Sequence, residues 1–429
     1  MFFQKDVETM KRKDIEALQL EKLRHMVDYC YRNVPFYTKK LDEAHVTADK
    51  IKSLSDIKYI PPTTKADLRD NYPFGMFAVP MSDIVRIHAS SGTTGKPTVV
   101  GYTKKDLDMW SDCVARIAVA AGATKEDIVQ ISFGYGMFTG ALGLHCGLEK
   151  IGCAVVPNSS GNTEKALMFM RDFKTTALVA TPSYALYMAE TAKKLEYPMS
   201  DYHLRLGLFG SEGCTPEMRT QIEKGWGLFA TDNYGMSELL GPGVSGECTE
   251  RCGLHINEDH FLVEVVDPET LEPVDEGEDG ELIVTPLSKE AFPLLRYRTR
   301  DISNVIYEPC KCGRTFARME KIKGRSDDML KIRGVNVFPS QIESVLVGMK
   351  NQLIVRREGF ADTLEVQVEL SDNSLLESFG MIQDLQNSIK HNLHTVLGIQ
   401  CKVSIVEPMT IERFVGKAKR VIDLRHEKD

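Results

Sequence analysis

Five short runs set the architecture: Ile128-Val-Gln-Ile-Ser132, Cys153-Ala-Val-Val-Pro157, Ala177-Leu-Val-Ala-Thr181, Leu204-Arg-Leu-Gly-Leu-Phe-Gly210 and Leu228-Phe-Ala-Thr-Asp-Asn-Tyr234. Between them lie helix-length segments, one reaching about Gly152 and others opening at Thr163, Ser183 and Thr215. Strands alternating with helices are βαβ units, which build a mostly parallel sheet with helices on both faces. Ligands bind at the carboxyl ends of such strands. Phe209-Gly-Ser-Glu-Gly213 and Tyr234-Gly-Met-Ser-Glu238 leave two of those ends, so these loops are expected to converge.

Downstream the pattern changes. From Phe261 to Tyr307, strands such as Phe261–Val266 and Glu281–Thr285 are separated by Pro, Gly and acidic turns, which predicts a β-rich subdomain. After Gly324 come a strand near Met329–Ile332, a helix Pro339–Val347, strands Gln352–Arg356 and Leu364–Leu370, a helix Leu375–Val396 and a strand Lys402–Val406. Apolar residues 375, 379, 382, 385, 389, 393 and 396 follow helical spacing and predict that helix's buried face. The fold class is therefore α/β, with a large N-terminal domain over residues 1–326 and a small α+β C-terminal domain over 327–429.

The chain has 429 residues, 42% of them hydrophobic and 27% charged, which is an ordinary globular composition. Its net charge of −8 argues against a broad nucleic-acid or anionic-membrane surface, so a polyanionic ligand must be met by a local pocket. Charge enters at Lys5 before any apolar signal region forms, which predicts a cytoplasmic protein. The uncharged stretch Ile128–Leu148 carries Gln130, Ser132, His145 and glycines 134, 136, 140, 143 and 147, a poor membrane span and a good strand, loop and buried helix.

Upstream of the first strand lies Ser90-Ser91-Gly92-Thr93-Thr94-Gly95-Lys96-Pro97. Glycines let the backbone close around an anion, and successive N–H groups, hydroxyls and Lys96 supply donors and charge suited to a polyphosphate. The spacing departs from the G-x-x-x-x-G-K-[ST] loop, because Gly92 and Gly95 are too close and Pro97 follows the lysine. Read alone, it is equally a polar loop with a solvated lysine.

Further motifs follow in order: Tyr234-Gly235-Met236-Ser237-Glu238, Tyr297-Arg298-Thr299-Arg300-Asp301, Gly324-Arg325-Ser326-Asp327-Asp328 and Gly416-Lys417. With the first loop they resemble the adenylate-forming acyl-CoA synthetase superfamily. Phe133–Gly140, Lys289–Asp301 and Gly334–Glu343 resemble its phenylacetate-CoA ligase branch, and the likeness runs from about Tyr31 to about Asp423. It implies a ligase that joins an aryl acid to ATP and then to coenzyme A, with the small domain mobile and Asp327 its hinge. It also implies roles for individual residues. Residues 90–96 would hold the β- and γ-phosphates, and Glu212, Gly213, Asn233, Tyr234, Gly235, Met236 and Ser237 the adenine side. Glu238 would bind Mg²⁺, Asp301 with Arg325 the ribose, and Lys417 would bridge the carboxylate and the α-phosphate. Other readings of the residues themselves are Glu238 as a solvated glutamate opening a helix, Asp301 as half of an ion pair with Arg298 or Arg300, and, without the resemblance, Lys417 as simply part of a basic tail. Lys65 is a weaker phosphate candidate, or a surface lysine at a helix start.

The acyl pocket is expected at Phe133-Gly-Tyr-Gly-Met-Phe138, with Tyr135, Gly136 and Phe138 against an arene; core packing is the plainer alternative. Phenylacetate is the acid the resemblance implies, with indoleacetate as another. Coenzyme F390 synthetases are similar over the same motifs and would adenylylate a deazaflavin instead. Ten cysteines and no secretory signal point to reduced thiols or metal. Cys248, Cys252 and His255 cluster, and Cys310-Lys-Cys312-Gly follows; these are donor types of structural zinc. Resemblance selects Cys248, His255, Cys310 and Cys312, leaving Cys252 spare or in place of His255; free thiols are the alternative. A homodimer is implied by resemblance alone.

Overall fold

In the computed structural model the apolar runs become strands Ile128–Ile131, Ala154–Val156, Ala177–Ala180, Leu206–Gly210 and Phe229–Met236. The structure describes residues 1–90, 97–326, 330–337, 339–346, 349–370, 379–408, 410–411 and 421–425. Helices Thr139–Ile151, Thr163–Asp172, Pro182–Lys194 and Pro216–Trp226 connect the strands. Their starts are chemically marked: the side chains of Asn162, Thr181 and Thr215 accept the backbone N–H groups of Lys165, Tyr184 and Met218. Pro182 and Pro216 occupy the first helical turn, where a missing N–H costs nothing.

All pairings among these five strands are parallel. Beyond Phe229–Met236 the same nine-stranded sheet continues through Gly241–Glu247, Leu254–Ile256, Arg318–Met319 and Val305–Ile306, now antiparallel. The reversal has a simple cause: residues 237–240 form a turn too short for the crossover that parallel pairing requires.

Glycines explain the uncharged stretch. Helix Thr139–Ile151 lies against helix Lys104–Ala121, and a Cβ at Gly143 or Gly147 would sit 2.3 Å from Trp110 or Val114. Only a bare backbone permits that approach. Among the described residues no helix is long and apolar enough to cross a membrane. A second, antiparallel sheet of Phe261–Val266, Gly280–Pro286, Tyr297–Ser303 and Gly324–Arg325 forms the β-rich subdomain.

The described residues separate into two compact units, one of residues 1–90 and 98–326 and one of residues from 330 onward. In the smaller unit Lys350–Glu358 and Ala361–Glu369 form a hairpin flanked in parallel by Val421–Asp423 and Lys402–Val406. The strand Val421–Asp423 is absent from the sequence reading because three residues carry no measurable period. Helix Phe379–Leu397 buries Ile389, Leu393 and Leu397 against this sheet. Leu397 takes the place expected of Val396, which is 37% exposed, since the stripe continues from 393 by four residues rather than three.

Leu393→Ala is expected to destabilise the smaller unit by about 2–5 kcal/mol, and Val396→Ala by no more than about 0.5 kcal/mol, in guanidinium unfolding of the two variants.

Candidate active site

The ends of strands Leu206–Gly210 and Phe229–Met236 are adjacent, with Gly210 opposite Asn233. The Asn233 amide donates to the Phe209 carbonyl at 2.6 Å, tying one loop base to the other. Glu212 accepts the Ser183 N–H at 2.6 Å, so its carboxylate serves the N-terminus of helix Pro182–Lys194. Nothing lies within 4 Å of a Cβ built on Gly213, leaving open space above that loop. Gly235 is the opposite case: a Cβ there would stand 1.9 Å from the Gly241 carbonyl oxygen.

Tyr234 reaches from the large sheet to the second sheet, where its hydroxyl donates to Asp301 Oδ2 at 2.8 Å. Arg325, opposite Asp301 in the antiparallel register, donates to Oδ1 at 2.5 Å. Burial, reinforced by the Asp301 charge, pushes the Tyr234 hydroxyl pKa well up. Arg298 does not pair with Asp301. It donates to both oxygens of fully buried Glu281 at 2.8 and 2.7 Å, and Arg300 lies 3.5 Å from the same carboxylate. The alternative of an Asp301 pair with Arg298 or Arg300 is thereby replaced by the pair with Arg325.

Glu238 is 4% exposed and has Lys65 Nζ 3.8 Å from Oε1. Lys65 opens helix Lys65–Asp70, which carries a Thr64–Asp67 capping box. Its segment is held beside strand Tyr297–Ser303, because Thr63 exchanges backbone hydrogen bonds of 2.9 Å with Arg296 and Arg298. Lys289, fully buried, donates to the Glu238 carbonyl at 3.1 Å. Burial lowers its ammonium to a pKa of about 8, with Asp106 and Glu238 opposing the shift. Met236 packs half-buried on the core. Ser237 shares a 3.0 Å hydroxyl hydrogen bond with Thr139, the first residue of helix Thr139–Ile151.

That contact leads to the expected acyl loop. Tyr135 is half-buried, its hydroxyl 3.0 Å from His145 Nδ1, while His145 Nε2 lies 2.9 Å from Glu149. Gly136 faces open space and Phe138 is 51% exposed. The Met137 carbonyl accepts the Ala89 N–H at 2.9 Å and faces His88 Nδ1 at 3.1 Å, joining this loop to strand Arg86–Ala89. Ser90 closes the base of the glycine-rich loop through its N–H to Thr98, at 2.9 Å. Ser91, Gly92, Thr93, Thr94, Gly95, Lys96, Asp327 and Lys417 lie outside the described residues.

Sequence reasoning missed Lys289, His145 and Glu281. A lysine within the apolar run Pro286–Leu295, and a histidine inside an uncharged stretch, were the available signals.

Away from these loops, one donor atom from each of Cys248, His255, Cys310 and Cys312 lies within 4.8 Å of the others. Cys248 and Cys310 sulfurs are 3.7 Å apart, and Cys312 sulfur is 3.4 Å from His255 Nε2. Tetrahedral donors at zinc bond lengths stand about 3.4–3.8 Å apart, so this set suits a metal. His255 Nδ1 faces the Phe316 carbonyl at 3.2 Å, which orients Nε2 toward the thiols. The fifth candidate, Cys252, is exposed; its sulfur lies 3.3 Å from that of Cys310. Crowding divides the thiols: Cys248 is pushed up by its hydrogen bond to Cys312 and by burial, and Cys312 is pulled down by Cys248 and His255.

Two sheets of one unit thus bring a tyrosine, a carboxylate–arginine pair and a second carboxylate between lysines to the strand ends. Family models describe the chain in the same terms: "AMP-binding enzyme" matches residues 16–286, and "AMP-binding enzyme C-terminal domain" matches residues 334–425. The chain belongs to the AMP-binding enzymes and, within them, to the phenylacetate-coenzyme A ligase family. A phenylacetate-coenzyme A ligase of Thermus thermophilus is 46% identical over 99% of this chain and 100% of its own length. That of Escherichia coli is 47% identical over 98% and 97%. Among solved structures, a 2-hydroxyisobutyryl-CoA ligase with 2-HIB-AMP and coenzyme A superimposes with a TM-score of 0.94 at 28% identity, over 99% of this chain and 93% of that one.

Strand Phe229–Met236 also carries Asp232, whose carboxyl burial raises to a pKa of about 7 although Lys321 lies 3.7 Å away. Between its ordinary value of 3.8 and about 7 the folded state holds a proton that the unfolded chain has released, so stability falls as pH rises through that window. Asp232→Asn is expected to flatten that part of the stability–pH curve, measured as the urea midpoint of both proteins at each pH.

Proposed function

We propose that this protein is an ATP-dependent ligase that converts phenylacetate to its coenzyme A thioester through an acyl-adenylate, releasing AMP and pyrophosphate. The observation that carries the reading is the joint formed by Tyr234, Asp301 and Arg325, with Glu238 following Tyr234 in the same loop and facing Lys65. The near-full-length identity to phenylacetate-coenzyme A ligases supports the acid and the thiol.

Adenylation brings two anions together, so the site must supply cations and N–H donors. The half-buried Tyr234 ring offers adenine an aromatic face, with the space above Gly213 beside it. Asp301 keeps lone pairs available on both oxygens for the ribose hydroxyls, while Arg325 fixes the carboxylate in place. Glu238 is a single buried carboxylate with a lysine already at its oxygen, which fits Mg²⁺ shared with phosphate oxygens. When bound, that ion neutralises charge on the departing pyrophosphate. Residues 90–96 and Lys65 would hold the β- and γ-phosphates. Lys417 would neutralise the acid's carboxylate and the α-phosphate as a carboxylate oxygen bonds to the α-phosphorus and pyrophosphate leaves. In the second step the coenzyme A sulfur bonds to the acyl carbon and AMP departs. Residues 1–326 would form the adenylation domain, and residues 327–429 a mobile domain hinged at Asp327. Tyr135, held by His145, would line the arene pocket with Gly136, and Phe138 would stand at its mouth.

Cys248, His255, Cys310 and Cys312 would hold a structural Zn²⁺, since four protein donors leave no position for water.

Pyrophosphate exchange into ATP is expected with phenylacetate in a panel of aryl acids, and thioester on adding coenzyme A. Exchange with no acid would overturn the reading, and exchange without thioester would remove coenzyme A from it. Elemental analysis is expected to give about one zinc per chain, lost in Cys310→Ser. Chelation should lower the melting temperature and abolish activity only as the fold is lost.

A further inference from the structure

Lys289 has no part in the reaction just described, yet it is fully buried. An ammonium in the interior is costly unless it is paired or hydrogen-bonded. Its Nζ donates to a neutral group, the Glu238 carbonyl, at 3.1 Å, and lies 4.9 Å from the ring centroids of both Tyr102 and Phe292.

The turn and the start of strand Gly241–Glu247 are held at two further points. The Tyr102 hydroxyl donates to the Leu240 carbonyl and the Trp110 indole N–H to the Pro242 carbonyl, each at 2.7 Å. Carbonyls 238, 240 and 242 are thus taken by three side chains from three separate segments. Tyr102 and Trp110 stack at 4.9 Å, so the ring that fixes Leu240 also supports the ammonium that fixes Glu238. Asp106 delivers Lys289 to this position by accepting the Glu290 and Ala291 N–H groups at 2.7 and 2.9 Å.

The two lysines at Glu238 differ in what they occupy. Lys65 faces carboxylate oxygen Oε1, where a cation would bind. Lys289 touches only the backbone oxygen of that residue among its described hydrogen bonds, so it fixes the main chain without occupying a carboxylate oxygen.

We propose that Lys289 is a positioning residue for the metal-binding carboxylate: it fixes the Glu238 backbone, and so aims the Glu238 side chain at the divalent cation accompanying ATP. The proposal rests on the reading of Glu238 as a ligand for that cation.

The test is Mn²⁺ binding to the full-length protein with ATP, followed by water-proton relaxation, for wild type, Lys289→Met, Lys289→Gln and Glu238→Gln. Lys289→Met is expected to weaken Mn²⁺ binding about 10- to 100-fold, as loss of an outer support of a ligand does, with metal-free ATP binding and the circular-dichroism spectrum unchanged. Wild-type Mn²⁺ affinity in folded Lys289→Met, with affinity lost in Glu238→Gln, would overturn the proposal and leave the Glu238 reading standing. Wild-type affinity in Glu238→Gln would remove that reading and the proposal with it. If Lys289→Met fails to fold, Lys289→Gln carries the same comparison; failure of both to fold would make Lys289 a core requirement and overturn the positioning role.

Discussion

The site of the larger unit depends on one carboxylate shared between two sheets. Asp301 belongs to the antiparallel sheet, yet one of its oxygens receives the hydroxyl of Tyr234 from the nine-stranded sheet and the other its own cross-strand neighbour Arg325. A carboxylate that is 7% exposed needs such partners, because a buried charge without them is costly. The two sheets are thus registered at the point where their loops meet. Glu281 makes this arrangement possible. By taking Arg298 through two hydrogen bonds and lying beside Arg300, it absorbs the neighbouring positive charge and leaves Asp301 to Arg325.

The turn after Tyr234 is the second constraint. It reverses the sheet from parallel to antiparallel and carries Glu238 to Lys65 and Lys289. Its path is tight enough that Gly235 has no room for a Cβ against the Gly241 carbonyl. Backbone so compressed leaves carbonyls pointing away from the ladder, and Tyr102, Trp110 and Lys289 satisfy three of them. Rigidity of the turn and orientation of Glu238 are therefore one property. The link from Ser237 to Thr139, and from His88 and Ala89 to Met137, extends the same scaffold to the loop of residues 133–138 and to the base of the glycine-rich loop.

The cysteine–histidine cluster serves a different part of the molecule. Its donors follow strand Gly241–Glu247, sit within Leu254–Ile256 and precede Arg318–Met319, three neighbours in the antiparallel half of the sheet. Ion pairs tie the N-terminal residues to the same region: the buried pair of Arg314 with Glu8 at 2.7 Å, and half-buried Arg12 with Glu258 at 2.8 Å. A metal there would cross-link strands otherwise joined by short ladders, which is a structural contribution.

Much of this was legible in the sequence, and the reason is local. Strand and helix starts between Ile128 and Met236 follow from apolar runs, capping residues and prolines, each acting within a few residues. The cysteines and histidine stood out by residue type, but five candidates were present and it was the family resemblance that chose Cys248, His255, Cys310 and Cys312, the four whose donor atoms lie within 4.8 Å of one another. What the tertiary structure alone decided concerns pairing across long separations. The partner of Asp301 was undetermined among three arginines, and Glu281 settled it from a neighbouring strand. The half-antiparallel sheet followed from the length of one turn. Lys289 entered only as the first residue of a motif quoted for its family likeness, until folding set its ammonium on the Glu238 carbonyl, fifty-one positions earlier in the chain. Periodicity reports which face of an element is buried; it carries no term for which buried polar group meets which, because that is fixed only when separate elements pack and every interior donor and acceptor must be matched.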